Sequence, residues 1–319
     1  MRILSKPRTF FILCFFFSYS LFAQAYVIGI SQIAPHPSLD EIRQGLIKGL
    51  KDAGFSKDIK FRYHNAQGDW GTSAQIARQL VGEGVDVLVG ITTPSAQHLL
   101  ATKSNIPLVF TGVNDPIGAR LVKNLEKPGG RVTGVMLYSP VEEQLALIKR
   151  MKPRVERVGL IYNSGEDNSI HIMKDFKSKA SSLSLKPVVV SINNSAQIAA
   201  ATHSMVGKVD AIYLPTDNTV ISALGAVLQV GKQANIPVFS ADLESVEKGA
   251  IAALGLDHHQ LGVLTANMVA KILRGEKARD IPIAIPSENL LYINLSHASD
   301  AMGLNIPVST LKKAAKLIR

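Results

Sequence analysis

The chain writes one phrase twice, and that repetition constrains its fold more than any other feature. From residue 85 it reads VDVLVGITTPSAQ, a helix-like segment, then NIPLVFTGVNDP; from residue 209 it reads VDAIYLPTDNTV, another helix-like segment, then NIPVFSAD. Each copy opens on Val-Asp (Val85-Asp86, Val209-Asp210) and enters an apolar run of the kind buried on both faces. It then breaks at a polar turn and returns through Asn-Ile-Pro (Asn105 to Pro107, Asn235 to Pro237) into a second strand. Strands alternating with helical patterns imply parallel sheets covered by helices on both faces. Two such units predict an α/β chain of two Rossmann-like lobes with parallel sheets. Ligands of open α/β sheets lie beyond the carboxyl ends of the strands. The turns Thr92-Thr93-Pro94-Ser95 and Pro215-Thr216-Asp217-Asn218 are therefore the expected place of function.

The first 25 residues stand apart from this pattern. Arg2, Lys6 and Arg8 form a positive start, Thr9 to Phe22 an apolar run, and Ala23-Gln24-Ala25 a small-x-small cleavage signal. The apolar run is about 14 residues, short for a spanning helix. Residues 1–25 read as a signal peptide cut after Ala25, which predicts a periplasmic protein beginning at Tyr26. Cys14, the only cysteine, lies inside this leader and follows Phe11-Ile12-Leu13 instead of the small residues that precede a lipidated cysteine. The mature chain therefore has no thiol or disulfide chemistry. Taking the three leader cations from 35 basic residues leaves 32 against 25 acidic ones, a charge of +7. Those cations are scattered, so they read as a solvated surface and not as a nucleic-acid patch.

Taken in order, Tyr26 to Ser31 is a strand, followed by a loop with Gln32 and His36. A helix from Ser38 to Gly54 carries Leu39, Ile42, Leu46 and Leu50 on one face. Ile59 to His64 is the next strand, and Thr72 or Ser73 is expected to cap the helix after it. Tyr138 marks the first crossing between lobes. Helices are also expected from Val141, Ser169 and Asp257, with a C-terminal helix around Leu311 to Ile318. The division is 26–137 with 258–286 for the first lobe, and 138–257 with 287–319 for the second, joined by a three-stranded hinge.

The phrases ISQIAPHPSLD, NAQGD, VFTGVNDPIGA, PGGRVTGV, VDAIYLPTDNTV, NIPVFSAD and ALGLDHHQLG run in order along the whole mature chain. In them the chain resembles the tryptophan/tyrosine-type substrate-binding proteins of ABC transporters. That resemblance implies a type I periplasmic-binding-protein fold closing around one small ligand. One departure falls at the pocket's edge: the family commonly has aromatic residues after the aspartate, where this chain has His258-His259.

Within that frame, Thr93-Pro94-Ser95 opens a helix whose first turn offers free N–H groups and the positive end of its dipole, a site for a carboxylate. Thr111, in the turn after the next strand, is a third hydroxyl donor. The second lobe carries acids at the matching turns: Asp217, beside Thr216, and Asp242. Either acid can be a plain helix cap. Hydroxyls on one wall facing carboxylates on the other nevertheless match a zwitterion, with the ligand's carboxylate on the first lobe and its ammonium on the second. Gln32, His36, Tyr138, Asn163, Glu166 and Asn168 are further candidate walls by position, while Trp70 reads as packing.

Enzyme signatures are weak. The chain has no Gly-x-Ser-x-Gly elbow, and adjacent His258 and His259 diverge on a helix and cannot chelate as an i, i+4 pair can. The stretch from Gly225 to Lys232 is one residue too long for a phosphate loop and lacks its hydroxyl. The expectation is a monomeric solute-binding component of an importer, without cofactor or metal. It would capture an amino-acid-like ligand, aromatic first, for a permease. The alternative is a sensor of the same fold acting on a membrane receptor.

Overall fold

The computed structural model describes residues 25–55 and 59–319. The leader read over residues 1–25 falls, Ala25 apart, outside the described residues.

The first lobe is built from β1 (Tyr26–Gln32), α1 (Pro37–Leu50), β2 (Ile59–Asn65), α2 (Trp70–Gly82), β3 (Val87–Ile91), α3 (Thr93–Ala101), β4 (Leu108–Val113) and β5 (Val132–Met136). Its parallel sheet has the order β2-β1-β3-β4-β5. The chain then crosses into α4 (Val141–Met151), β6 (Arg157–Asn163), α5 (Asp167–Ser182), β7 (Lys186–Ile192), α6 (Ile198–His203) and β8 (Ala211–Leu214). It continues through α7 (Asn218–Ser222), α8 (Leu224–Gln233), β9 (Val238–Ser240), α9 (Glu244–Lys248) and β10 (Ala252–Gly255). A second crossing returns it to the first lobe as α10 (His258–Leu273), and a third leads to β11 (Leu290–Asn294), α11 (Val308–Leu311) and β12 (Lys316–Ile318). The second sheet runs β12-β11-β10-β9-β8-β6-β7, parallel except where β11 meets β10. Two α/β lobes joined by three crossings are the architecture that the repeat and the resemblance predict.

The repeated phrase has the same physical job in both lobes. Asp86 accepts the N–H of Val27 (2.7 Å), and Asp210 accepts the N–H groups of Glu156 (3.0 Å) and Arg157 (2.8 Å). Each aspartate thus satisfies the start of the neighbouring strand, where the ladder would leave amides unpaired. The prolines of the two Asn-Ile-Pro motifs also match, since the Pro107 carbonyl takes the N–H of Leu88 and the Pro237 carbonyl that of Ile212, both at 2.9 Å. β3 and β4 are buried at every residue, as apolar strands covered on both faces should be.

α10 reaches the first lobe by lying directly on α1. Gly45 and Gly262 make this possible: a Cβ on Gly262 would stand 2.1 Å from the Ile42 carbonyl oxygen, and one on Gly45 2.0 Å from that of His259. The contact brings the first residue of α10, His258, beside the loop that opens α1.

Two expectations are corrected. The cap of α2 is neither Thr72 nor Ser73 but Asp69, whose carboxylate accepts the Thr72 N–H at 2.6 Å, so the helix starts earlier, at Trp70. The C-terminal helix is only Val308–Leu311, and Lys316–Ile318 pairs with Tyr292 to Asn294 as an edge strand. A short isolated helix is marginal in water, whereas the open edge of β11 offers the same residues a ladder.

Candidate functional site

The carboxyl ends of the two sheets face each other across a cleft, which closes on a small cavity of about 20 Å³. The first lobe lines it with His36, Leu39, Ile42, Thr92, Gly112, Leu137 and His258; the second supplies Asn168, Thr216, Asp217, Asn218, Ile221 and Asp242. Five of the predicted residues are therefore on its walls: His36, Asn168, Thr216, Asp217 and Asp242.

Thr93, Ser95 and Thr111 are buried immediately behind the first-lobe wall, and their hydroxyls have no partner among the described residues. The same is true of the Ser31 and Thr92 hydroxyls and of both ring nitrogens of His36. Buried polar groups normally find partners, so this concentration at one end of one sheet makes it the candidate polar wall of the site. Thr92 adds backbone strain, with φ 80° and ψ 166°. That region is essentially reserved for glycine and costs on the order of 1–3 kcal/mol. The strained turn fixes the start of α3, where Thr93 and Ser95 sit in the first turn.

On the second lobe, Asp217 caps α7, accepting from Val220 N–H at 2.9 Å and from Asn163 N–H at 2.7 Å. Behind it lies Glu166, which accepts from Asn218 Nδ2 (2.5 Å), Thr219 Oγ1 (2.8 Å) and Asn163 Nδ2 (3.2 Å). Burial, then the Asp217 charge, push Glu166 up to about 7 against those hydrogen bonds. Burial likewise raises Asp217. Two acids this close in a dry wall do not both ionise freely. Asn163 is thus a positioning residue for this pair and does not line the cavity.

Asp242 behaves differently. Burial alone would raise it, but the electrostatic pull of His258, then of His36, and hydrogen bonds from Ser245 and Ser38 outweigh that and hold it below the usual carboxylate range. Its oxygens accept from Ser245 N–H (3.1 Å), Ser245 Oγ (2.6 Å) and the Ser38 hydroxyl. His258 Nδ1 lies 2.9 Å from Glu244 Oε2 and 3.9 Å from Asp242 Oδ1. Burial pulls His258 down, yet Glu244, Asp242 and Asp257 together raise it to about 9. His36 is driven the other way, to about 4, by burial and the nearby His258 charge, against the pull of Asp242 and Asp40. The site therefore holds one imidazolium and one neutral imidazole. Asp242, Glu244 and His258 are close enough to be compared with a metal site. In this structure the hydrogen bond between His258 and Glu244 and the bonds from Ser245 and Ser38 to Asp242 hold the cluster together as a salt-bridged triad.

Three predicted residues lie elsewhere. Gln32 donates to the Ala34 carbonyl (2.9 Å) and Asp40 (3.3 Å), holding the loop before α1. Tyr138 stands 45 % exposed on the first crossing. Asn163 supports the acid pair. Trp70 packs edge-on against His98, with centroids 5.2 Å apart. Sequence reasoning passed over Ser38 and the apolar walls Leu39, Ile42, Leu137 and Ile221; it placed Thr92 and Asn218 in the expected turns and His258 at the pocket's edge without naming them as ligand contacts. Leu39 and Ile42 were visible only as helix periodicity, and Thr92 as the strand-end position matching Pro215 and Thr216.

Contacts also run directly from lobe to lobe. Besides Ser38 with Asp242 and His258 with Glu244, Gln97 Nε2 meets Asp167 Oδ2 at 2.7 Å, His171 Nδ1 meets Asp115 Oδ2 at 3.2 Å, and Asn114 Nδ2 meets Thr216 Oγ1 at 3.4 Å. The lobes are together in this structure.

Comparison with known proteins agrees with this geometry. A family model described as ABC transporter substrate binding protein matches residues 27–318. A tyrosine-binding protein of Clostridioides difficile is 37 % identical over 269 residues, covering 84 % of this chain and 78 % of that protein. The crystal structure of an ABC domain in complex with L-Trp from Streptococcus pneumonia matches with TM-score 0.90 at 37 % identity, over 92 % of this chain and all (100 %) of that one. A ligand-free, open substrate binding protein with adhesive properties from Clostridium difficile matches with TM-score 0.69 at 35 % identity, over 92 % of this chain and 99 % of that one. At almost equal identity, the chain matches the L-Trp complex with the higher TM-score and the ligand-free, open structure with the lower.

Proposed function

The chain belongs to the ABC transporter substrate binding protein family, and from that premise we propose that it captures a zwitterionic aromatic amino acid, tryptophan or tyrosine, and delivers it to a membrane permease. The observation that carries this reading is the asymmetry of the cleft. Unpartnered hydroxyls and a helix start stand on one wall, and a carboxylate held ionised stands on the other.

Thr93, Ser95 and Thr111 hydrogen-bond the ligand's carboxylate, helped by the N-terminal dipole of α3. Asp242, whose charge survives burial, pairs the ammonium, while Asp217 serves chiefly as the cap of α7 and shares its proton economy with Glu166. Leu39, Ile42, Leu137 and Ile221 cover the apolar side chain. The names of the tyrosine-binding and L-Trp-bound relatives support this ligand class. The family supports an exported protein working with a permease; removal of the leader after Ala25 rests on the Ala23-Gln24-Ala25 signal in the sequence, and a monomeric mature chain is part of the same proposal.

The test is calorimetry with L-tryptophan and L-tyrosine, combined with small-angle scattering. One ligand per chain should bind, with a fall in the radius of gyration as the closed state is selected. Failure of both amino acids to bind would refute the ligand class; tight binding without compaction would refute closure.

A further inference from the structure

We propose that His258 is a proton-dependent latch: carried on the first lobe, it locks between Asp242 and Glu244 of the second, so that closing the cleft takes up a proton. This rests on the ligand reading above only for its calorimetric test.

The geometry places His258 at the second crossing. It is the first residue of α10, directly after Leu256 and Asp257, which join β10 of the second lobe to that helix. A hinge rotation has to be absorbed in such short connecting segments. His258 therefore moves with α10 and the first lobe, while Asp242 and Glu244 move with the second sheet. In the closed chain its ring is buried, at 3 % exposure, with Nδ1 2.9 Å from Glu244 Oε2. The groups facing it are Asp242 and Glu244 from the second lobe, Asp257 from its own cap, and His36 from the loop before α1. Beyond Glu244 lie Glu41, Glu247, His259, Tyr292 and Lys316.

Opening exposes the ring to water and separates it from its acids, returning it toward the ordinary histidine value of 6.5, whereas closure holds it near 9. A group raised in the closed state favours closure fully below 6.5, and that contribution is lost as pH rises through about 9. One proton taken up per closure makes affinity fall by on the order of tenfold per pH unit between pH 7 and 9.

The experiment measures L-tryptophan and L-tyrosine binding at pH 7.5 in phosphate and in Tris, whose ionisation heats differ. Uptake close to one proton in the natural chain and close to zero in His258→Gln, whose affinity no longer depends on pH, supports the latch. Binding with no proton uptake overturns the latch and leaves the ligand reading standing. If neither amino acid binds, the ligand reading fails, and the latch is judged without ligand. Gln97→Cys and Asp167→Cys, in the mature chain from Tyr26, are bridged across the cleft by a short bismaleimide, and the His258 ring is titrated by NMR. A value near 9 in the bridged chain and near 6.5 before bridging supports the latch. The same value in both overturns it.

Discussion

Replacing Gly262 by alanine tests how the first lobe positions its side of the cleft. Gly262 is in the first turns of α10, and an exposed helical Gly→Ala change is expected to stabilise by about 0.8–1 kcal/mol through propensity alone. Here the new methyl would lie 2.1 Å from the Ile42 carbonyl oxygen, 2.7 Å from the Leu46 nitrogen and 2.9 Å from the Gly45 Cα. All three are backbone atoms, so no rotamer change clears them. Reaching an ordinary contact of 3.4 Å from 2.1 Å requires α1 and α10 to separate by roughly the difference, 1.3 Å. Overpacking of this kind costs about 1–3 kcal/mol, which exceeds the propensity gain and sets the sign as net destabilisation. The displacement also carries His36 and Ser38 away from His258 and Asp242, so ligand affinity should fall with stability. Urea unfolding and calorimetry on the same preparation read both effects. A Gly262→Ala chain as stable as the natural one, with unchanged affinity, would refute the claim that this close approach sets the geometry of the cleft.

Two further changes probe the walls separately. Thr92→Gly relieves a strained φ, worth about 1–3 kcal/mol, against about 0.5–1 kcal/mol of added backbone entropy. Its melting temperature should rise while ligand affinity drops, and a lower melting temperature would show that the turn is not strained. Glu166 is raised from 4.5 to about 7, so folding favours its protonated form: that contribution is present at acid pH and is lost as pH climbs through about 7, by up to on the order of 3 kcal/mol. Unfolding free energy measured from pH 5 to 8 should therefore decline more steeply in the natural chain than in Glu166→Gln, and parallel slopes would contradict the buried acid pair.

Much of the fold was legible because it rests on local, repeated chemistry. Asp86 and Asp210 occupy equivalent places in the two phrases and satisfy equivalent strand ends, so reading the repeat amounted to reading the two sheets. The turns Thr93 to Ser95 and Thr216 to Asp217 followed from the rule that strands deliver ligand contacts at their carboxyl ends. What the sequence hid is set by distance along the chain. Ser38 and Asp242 meet across 204 residues and Glu166 and Asn218 across 52, and no pattern in either neighbourhood announces the partner. His258 was visible as an oddity after Asp257, but its charge state comes from Glu244 and Asp242, which only the tertiary fold supplies. The failed C-terminal helix is the converse case: Leu311 to Ile318 has helical composition, and an unpaired sheet edge decided otherwise.

The central claim is that a zwitterion is divided between the lobes, carboxylate to the first and ammonium to the second. Its most direct measurement is calorimetry of the natural chain, Ser95→Ala, Asp217→Asn and Asp242→Asn with L-tryptophan, its deaminated analogue and its amide. Asp242→Asn should lose about 3–5 kcal/mol for the parent, as when a buried charge is stripped of its partner, and little for the deaminated analogue. Ser95→Ala should lose about 1.5–3 kcal/mol, the worth of a hydrogen bond to a charged group, and little for the amide. Asp217→Asn should weaken all three ligands alike through its cap. Equal losses from Ser95→Ala and Asp242→Asn for every ligand would mean that these residues only hold the fold, and the divided zwitterion would be wrong.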